Sequence, residues 1–379
     1  MRAIVLAASC VMGLVAQAAA DPPKQESKAQ SAPAGFADIV SRVAPAVVSV
    51  RVTFGAGSVA EDGSGPLHDF LHNFRIPGLR NNPHARPTTP VVTGLGSGFF
   101  VSSDGYLVTN NHVVKEAQSI EVTLADGKKL KPQVVGTDAR TDLALLKVSG
   151  GPYSFLQFSD AEPRVGDWVL ALGDPFGLGG TVTAGIVSAR GRDLNDNPYQ
   201  NYIQIDAPVN KGNSGGPTVD TKGEVVGVNT AIYSPSGGSV GIAFDIPAAT
   251  VKTVVAQLKE HGRVIRGWLG AEIENVTPEV AGKLGLQKPT GALIAAVEPD
   301  SPAAKGGLKP GDVVTQLNDQ PIEHSRDLAQ KIGAMQPGTK ANLTVIDHRS
   351  KKVAAVTLTE KPPAQAKPAS ATTGRGSTR

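Results

Sequence analysis

The chain has 379 residues, 40% hydrophobic, 19% charged and 4% aromatic, with 43 glycines and 28 prolines. That length can bury more than one core and predicts two or three domains, and the glycine and proline content argues against an all-helical protein. The formal net charge of +3 gives no electrostatic reason to expect a nucleic-acid partner.

Residues 1–20 carry Arg2, a short apolar run from Ile4 to Val15, and Ala18-Ala19-Ala20 before Asp21. This is the layout of a cleaved signal peptide, and the run is too short for a membrane span. An uncleaved N-terminal anchor, which would leave the protein membrane-associated, is the alternative. Cys10 is the only cysteine and lies inside this segment. The mature chain would then hold no disulfide, no zinc–thiolate site and no cysteine nucleophile. None of the seven histidines stands in an H-E-x-x-H pair, so a metalloprotease reading lacks its main signal and no metal site is expected. Residues 21–35, rich in Pro, Ala and Lys, predict a flexible tether.

A first domain is expected over 36–261. Phe36 to Val43 predicts a short amphipathic helix, and Ala46 to Thr53 a strand with Val47, Val48, Val50 and Val52 in or near alternation. Residues 55–93 form a long Gly- and Pro-rich loop holding Leu67, Phe70, Leu71, Phe74 and Ile76. So large an apolar cluster in a loop needs somewhere to dock, which predicts a regulatory loop that gates whatever site the domain carries. Short apolar runs separated by turns then predict strands at Gly98 to Val101, Tyr106 to Asn110, Ser119 to Leu124, Lys131 to Asp138 and Ala144 to Val148. Further strands are predicted at Trp168 to Gly173, Thr181 to Ala189, Ile203 to Ile205, Pro217 to Val219, Val225 to Ile232 and Val240 to Ile246. Many short strands with few helices mean a barrel or a sandwich. Ala248 to Glu260 is a helix, with Val251, Val254, Val255 and Leu258 on one face.

A second domain is expected over 262–360. Its strands are Leu269 to Ile273, Ala292 to Val297, Val313 to Leu317, Asn342 to Asp347 and Lys352 to Thr359, and its helix is Ser325 to Ala334. Residues 361–379 are polar, Pro-rich and basic, and predict a disordered tail.

The chemistry concentrates at Gly212-Asn213-Ser214-Gly215-Gly216-Pro217. Glycines crowded around one serine permit a tight turn that exposes the hydroxyl and aims backbone N–H groups at an oxyanion. The string also fits the G-x-S-x-G elbow of the α/β-hydrolases, but that fold needs a helix after the serine and Asp and His later in the chain. Here strands follow the serine. His112 lies upstream at the end of an apolar strand, and Asp142 lies at the mouth of another. The order His, Asp, Ser is that of a trypsin-type triad. Ser214 Oγ would attack a carbonyl, His112 would take and return the proton, and Asp142 would fix the histidine tautomer. The oxyanion hole is expected from the backbone around Gly212, Asn213 and Ser214.

Seven strings in order give the chain a family resemblance: Gly96-Ser97-Gly98-Phe99, Thr109-Asn110-Asn111-His112-Val113-Val114, Thr141-Asp142-Leu143-Ala144, Gly173-Asp174-Pro175-Phe176-Gly177-Leu178, Thr183-Ala184-Gly185-Ile186-Val187-Ser188, Gly212-Asn213-Ser214-Gly215-Gly216-Pro217 and Gly241-Ile242-Ala243-Phe244. The sequence resembles the HtrA (Do-like) family of trypsin-like serine proteases from about Phe36 to about Thr359. The resemblance implies a mostly β fold, a trypsin-like double β-barrel followed by one PDZ domain. It implies an endopeptidase of the periplasm that works without a cofactor on unfolded or misfolded polypeptides and assembles from trimers. It also implies that Gly267, Trp268, Leu269, Gly270 and Ala271 form a loop that captures protein C-termini. Asp245 departs from the family's usual Ala and is expected to face water, and Asp174 replaces a common Asn.

A specificity pocket is expected from Pro208, Val209, Asn229, Thr230, Ala231 and Ile232. No carboxylate stands at its floor, so cleavage after Val, Ala or Ile is predicted rather than after Lys or Arg. Two other classes compete with the protease reading. A chaperone or scaffold would bind unfolded chains with cleavage secondary, and an α/β-hydrolase esterase is rejected by the order of the triad.

Overall fold

Helix α1 (Ala37–Val43) and a 3-10 turn (Ala44–Ala46) open the first domain, and Ile39 and Val43 are buried against the turn at Gly223 of the same chain. The computed structural model describes residues 35–54, 92–174, 180–192, 194, 199–235, 237–347 and 350–361. The predicted signal peptide, nearly all of the tether and the tail, and the regulatory loop up to residue 91 lie outside the described residues. The expected loop end at 92–93 is already strand.

Seven strands form the first sheet: β1 (Val47–Phe54), β2 (Val92–Phe100), β3 (Tyr106–Asn110), β4 (Ser119–Thr123), β5 (Lys129–Leu130), β6 (Gln133–Asp138) and β7 (Leu143–Lys147). Their order is β5-β4-β1-β2-β3-β7-β6, with every neighbouring pair antiparallel. Val48, Val50, Val52, Phe100, Leu107 and Leu146 fill its concave side. Each such buried side chain contributes about 1.5–3 kcal/mol. The expectation of two barrels needs one correction, because this sheet curls without closing. Closure would require β5 to pair with β6, but β5 has two residues and β6 shifts register between Val134 and Gly136.

The second sheet does close, in the order β10-β13-β12-β11-β8-β9. Its strands are β8 (Trp168–Gly173), β9 (Thr181–Arg192), β10 (Tyr202–Ile205), β11 (Pro217–Val219), β12 (Val225–Ile232) and β13 (Ala243–Pro247). Val169, Ala171, Val187, Ile203, Ile205, Val209 and Val226 make up its core. Asp245 does not face water. It is 1% exposed, paired in register with Asn229 on β12 and Ile203 on β10. With β10 and β12 on its two edges and a helix packed against it, β13 buries both faces, so alternation no longer marks a wet side.

That helix is α3 (Ala248–His261), the second being the short α2 (Asn111–Val114) that carries His112. It ends at Gly262, whose left-handed conformation (φ 69°) turns its amide back to the Leu258 carbonyl at 2.9 Å.

Beyond it, β14 (Gly267–Trp268) pairs with β21 (Thr359–Glu360). A second sheet runs β15 (Ala271–Asn275), β16 (Ala292–Val297), β17 (Val313–Leu317), β19 (Lys340–Asp347) and β20 (Ser350–Thr357), with β18 (Gln320–Pro321) on β17. Helices α4 (Pro278–Leu284), α5 (Pro302–Lys305) and α6 (Ser325–Ala334) complete this unit around Leu269, Ile294, Leu328, Ile332 and Leu343. Strand β15 is an edge strand, and α6 packs beside it.

Candidate active site

His112 stands on α2, the single helical turn after β3, and Asp142 stands just before β7, the strand paired with β3. Antiparallel pairing of Asn110 with Leu143 therefore brings the two residues together across a sequence gap of 30. Asp142 adopts a left-handed conformation (φ 58°), which places carbonyl and carboxylate on the same side of the turn. Its carbonyl accepts from Asn111 N (3.0 Å) and Asn110 Nδ2 (2.9 Å). Its carboxylate accepts His112 N at 2.9 Å through Oδ1 and lies 2.6 Å from His112 Nδ1 through Oδ2. A carboxylate on Nδ1 favours the tautomer protonated there and makes Nε2 the proton-accepting nitrogen. The two side chains are 26% and 15% exposed, open enough for a substrate and dry enough to strengthen the pair.

The serine turn rests on β12 and on the first sheet. Gly215 N donates to Asn229 O (2.8 Å), and Asn229 N donates to Gly216 O (2.9 Å). Gly96 is where histidine and serine segments meet, since a Cβ there would lie 2.8 Å from both Val113 γ-carbons and 3.2 Å from the Ser214 carbonyl. Gly212 takes φ 94°. Its N–H and that of Ser214 donate to no partner among the described residues, as an oxyanion hole requires. Asn213 is different and is withdrawn from the expected donors. Its N–H bonds Asn210 O at 3.0 Å, within the turn.

Residues 96–228 match the trypsin-like peptidase domain family and residues 267–358 the PDZ domain family. A probable periplasmic serine endoprotease, DegP-like, from Brucella melitensis biotype 1 is 49% identical over 352 residues, covering 86% of this chain and 67% of its own. One of the same description from Bartonella henselae is 52% identical, over 82% of this chain and 65% of its own, and one from Pseudomonas fulva is 43% identical, over 86% and 71%. Among solved structures, the HtrA-type protease AlgW with a decapeptide matches with a TM-score of 0.72 at 41% identity, over 87% of this chain and 99% of its own. The chain belongs to the HtrA/DegP-like family of serine endoproteases. It spans about two thirds of the length of the first curated relatives.

In this HtrA-type chain the expected specificity residues do not all converge. Val209 is buried in the barrel core, and Ile232 packs against that same cluster. Thr230 is buried and accepts Asn110 Nδ2 at 3.1 Å, so it reaches Asp142 only through Asn110. Ala231 and Ile232 are half-buried. Asn229 is withdrawn as a pocket wall. Its side chain turns into the barrel, where Nδ2 donates to Leu172 O (3.0 Å) and Oδ1 accepts the Thr218 hydroxyl (3.0 Å). Pro208 is exposed rather than sunk beneath a pocket, its carbonyl held by Thr183 Oγ1 at 2.8 Å. Asp206, two residues before Pro208, is exposed, and its Oδ1 accepts Ile186 N at 2.6 Å.

Gly267 and Trp268 lie in β14, and Leu269 and Gly270 form the turn into β15, which begins at Ala271. The turn is tight because Gly270 has φ 77° and a Cβ there would fall 2.2 Å from Ser301 Cβ.

Sequence reasoning passed over three residues that brace Asp142. Thr141 bonds Asp138 through both its N–H (3.2 Å) and its hydroxyl, and Arg266 grips the same carboxylate at 2.8 and 2.6 Å. Burial raises the Asp138 pKa, but Arg266 and Thr141 outweigh it and hold the carboxyl below its usual range.

Proposed function

We propose that His112, Asp142 and Ser214 form the triad by which this serine endopeptidase hydrolyses peptide bonds in unfolded or misfolded envelope proteins. The observation that carries the reading is the Asp142 carboxylate held to both His112 N and His112 Nδ1, next to a serine turn whose Gly212 and Ser214 N–H groups bond no other described residue. Ser214 Oγ attacks the carbonyl while His112 Nε2 takes its proton. The tetrahedral oxyanion lies against the N–H groups of Gly212 and Ser214. Its collapse expels the amine, which receives the proton from His112, and water repeats the sequence on the acyl-enzyme. Asp142 keeps Nδ1 protonated and balances the imidazolium charge.

Cleavage after a small aliphatic residue is supported by the apolar, half-buried Ala231 and Ile232 and by the engagement of Asp206 with β9. Capture of protein C-termini by the turn at Trp268 to Ala271 is supported by the open edge of β15, along which a peptide can pair. A periplasmic location agrees with the relatives' descriptions and with the predicted signal peptide. Assembly as a homotrimer rests on the family resemblance, because the apolar side of α1 packs within its own chain.

Labelling with a fluorophosphonate and digestion of unfolded casein test the triad. Both are expected in the unsubstituted protein and neither in Ser214→Ala. Casein cleavage persisting in Ser214→Ala would overturn the assignment, and cuts falling mainly after Lys or Arg would overturn the pocket alone.

A further inference from the structure

We propose that Ser97 is a positioning residue for the oxyanion-binding turn, holding the peptide planes that flank the Ser214 N–H. The proposal rests on the reading of Ser214 as nucleophile. Ser97 lies in β2, fully buried at 0% exposure, and all of its polar atoms are hydrogen-bonded. Its hydroxyl donates to Gly212 O (2.6 Å) and accepts Asp174 N (2.8 Å). Its N–H donates to Ser214 O (2.8 Å), and its carbonyl accepts the Thr109 hydroxyl (2.7 Å).

Gly212 and Ser214, whose carbonyls Ser97 binds, are the same two residues whose N–H groups bond nothing among the described residues. A peptide unit is planar, so fixing a carbonyl fixes the N–H of the next residue. Holding Gly212 O orients the 212–213 plane and sends the Asn213 N–H to Asn210 O. Holding Ser214 O orients the 214–215 plane and sends the Gly215 N–H to Asn229 O. The plane between them carries the Ser214 N–H, and its own carbonyl, Asn213 O, accepts Gly216 N at 2.9 Å. Three successive planes are thereby locked, two of them by one serine. Such a lock matters because an oxyanion hole works by having donors in place before charge develops. Gly212, with φ 94°, is the residue that most needs it, since glycine allows the plane to turn over at little steric cost. Ser97 also ties the turn to both sheets, because Asp174 follows β8 while Ser97 and Thr109 belong to the first sheet.

Ser97→Ala and Ser97→Cys in the full chain test this. The readouts are kcat and KM on a peptide with an aliphatic residue on the acyl side, the rate and final extent of fluorophosphonate labelling, and the thermal transition. In Ser97→Ala, kcat per labelled site is expected to fall about 10- to 100-fold, less than the loss of a donor outright. KM stays within about twofold, and final labelling reaches the unsubstituted extent at a slower rate. Cysteine, a weak donor of similar shape, is expected to fall between. A merely structural role would lower the labelled fraction or the transition and leave kcat per labelled site alone. That result, a kcat within twofold in Ser97→Ala, or a change confined to KM would overturn the proposal. If the alanine variant does not fold, the cysteine variant decides by the same criteria. Failure of the underlying triad would look different, with label appearing in Ser214→Ala as well, and the proposal would fall with it.

Discussion

Asp245 faces Asn229 and Ile203 in register, lies over Gly227, and has Thr218 as the one polar side chain acting on its carboxyl. Burial pushes its pKa up to about 7, and Thr218 pulls only weakly the other way. An unfolded chain releases this proton near pH 4. Between pH 4 and 7 the folded state therefore binds a proton that the unfolded state does not, and stability falls as pH rises through that window. Above about pH 7 both states are ionised and the full penalty remains. Asp245→Ala is expected to flatten this slope and to raise stability at pH 8 by about 1–3 kcal/mol. Urea unfolding at pH 5 and pH 8 checks it, and an unchanged slope would show that the carboxyl has found a partner. Sequence expected this side chain in water because its neighbours name no partner for it. His112, Asp142 and Ser214 stood out because each sits in a short string that can be read without its partners. Asn213 and Asn229 were misread because each belongs to the site through its backbone while its side chain or amide serves the fold.

Short strands bounded by turn residues, such as Tyr106–Asn110 and Pro217–Val219, were legible to the residue. Strand β2 was not, since it begins at Val92 and the sequence suggested Gly98. Its glycines at 94, 96 and 98 carry little strand propensity, and they are there because Val52, Val113 and the Val108 carbonyl occupy the space a Cβ would need. The two-residue strands β5, β14, β18 and β21 and the short α4 and α5 hold too few residues for periodicity to show. Close approach also decides the serine turn. At Gly215 (φ 89°) a Cβ would fall 2.2 Å from Ser97 O and 2.4 Å from Thr109 Oγ1. Gly215→Ala is expected to abolish fluorophosphonate labelling and to cost about 2–4 kcal/mol of stability. Gly127 has a similar φ of 83° with nothing within 4 Å, so Gly127→Ala carries the backbone strain alone. It should cost about 1 kcal/mol and keep full labelling. Equal behaviour of the two variants would refute the packing argument.

At the scale of the whole molecule, the two domains meet at Arg266, one residue before the PDZ-family match begins. Its guanidinium is bidentate on Asp138, at the end of β6, and the pair is 14% and 7% exposed. The guanidinium also lies 4.9 Å from the ring centre of Tyr199, as does that of Arg140, and Tyr199 abuts Gly333 of α6. A continuous path of contacts thus runs from the helix beside the β15 edge, through Tyr199 and Arg266, to Asp138, Thr141 and the turn that presents Asp142. Sequence could not reveal this path, because its residues lie 128 apart and no local pattern joins a linker arginine to a strand-end aspartate. Removing the arginine leaves a buried carboxylate without its partner, which costs about 3–5 kcal/mol. The sign of the pH effect follows from the lowered pKa of Asp138. The pair contributes stability above the unfolded value near pH 4 and loses it as pH falls through the lower folded value. In Arg266→Ala burial is no longer outweighed, so the Asp138 carboxyl rises and takes up a proton at a higher pH. Protonated Asp138 holds Thr141 less firmly, and Asp142 moves with Thr141. The acid limb of kcat/KM is therefore expected to shift to higher pH in Arg266→Ala. The double variant Arg266→Ala, Asp138→Asn should recover part of the lost stability, since a neutral amide needs no counter-charge. Rate profiles from pH 4 to 8 and thermal unfolding of the three proteins measure both effects. Superimposable acid limbs would disconnect the linker from Asp142, and strictly additive stability losses would show that Arg266 and Asp138 act apart.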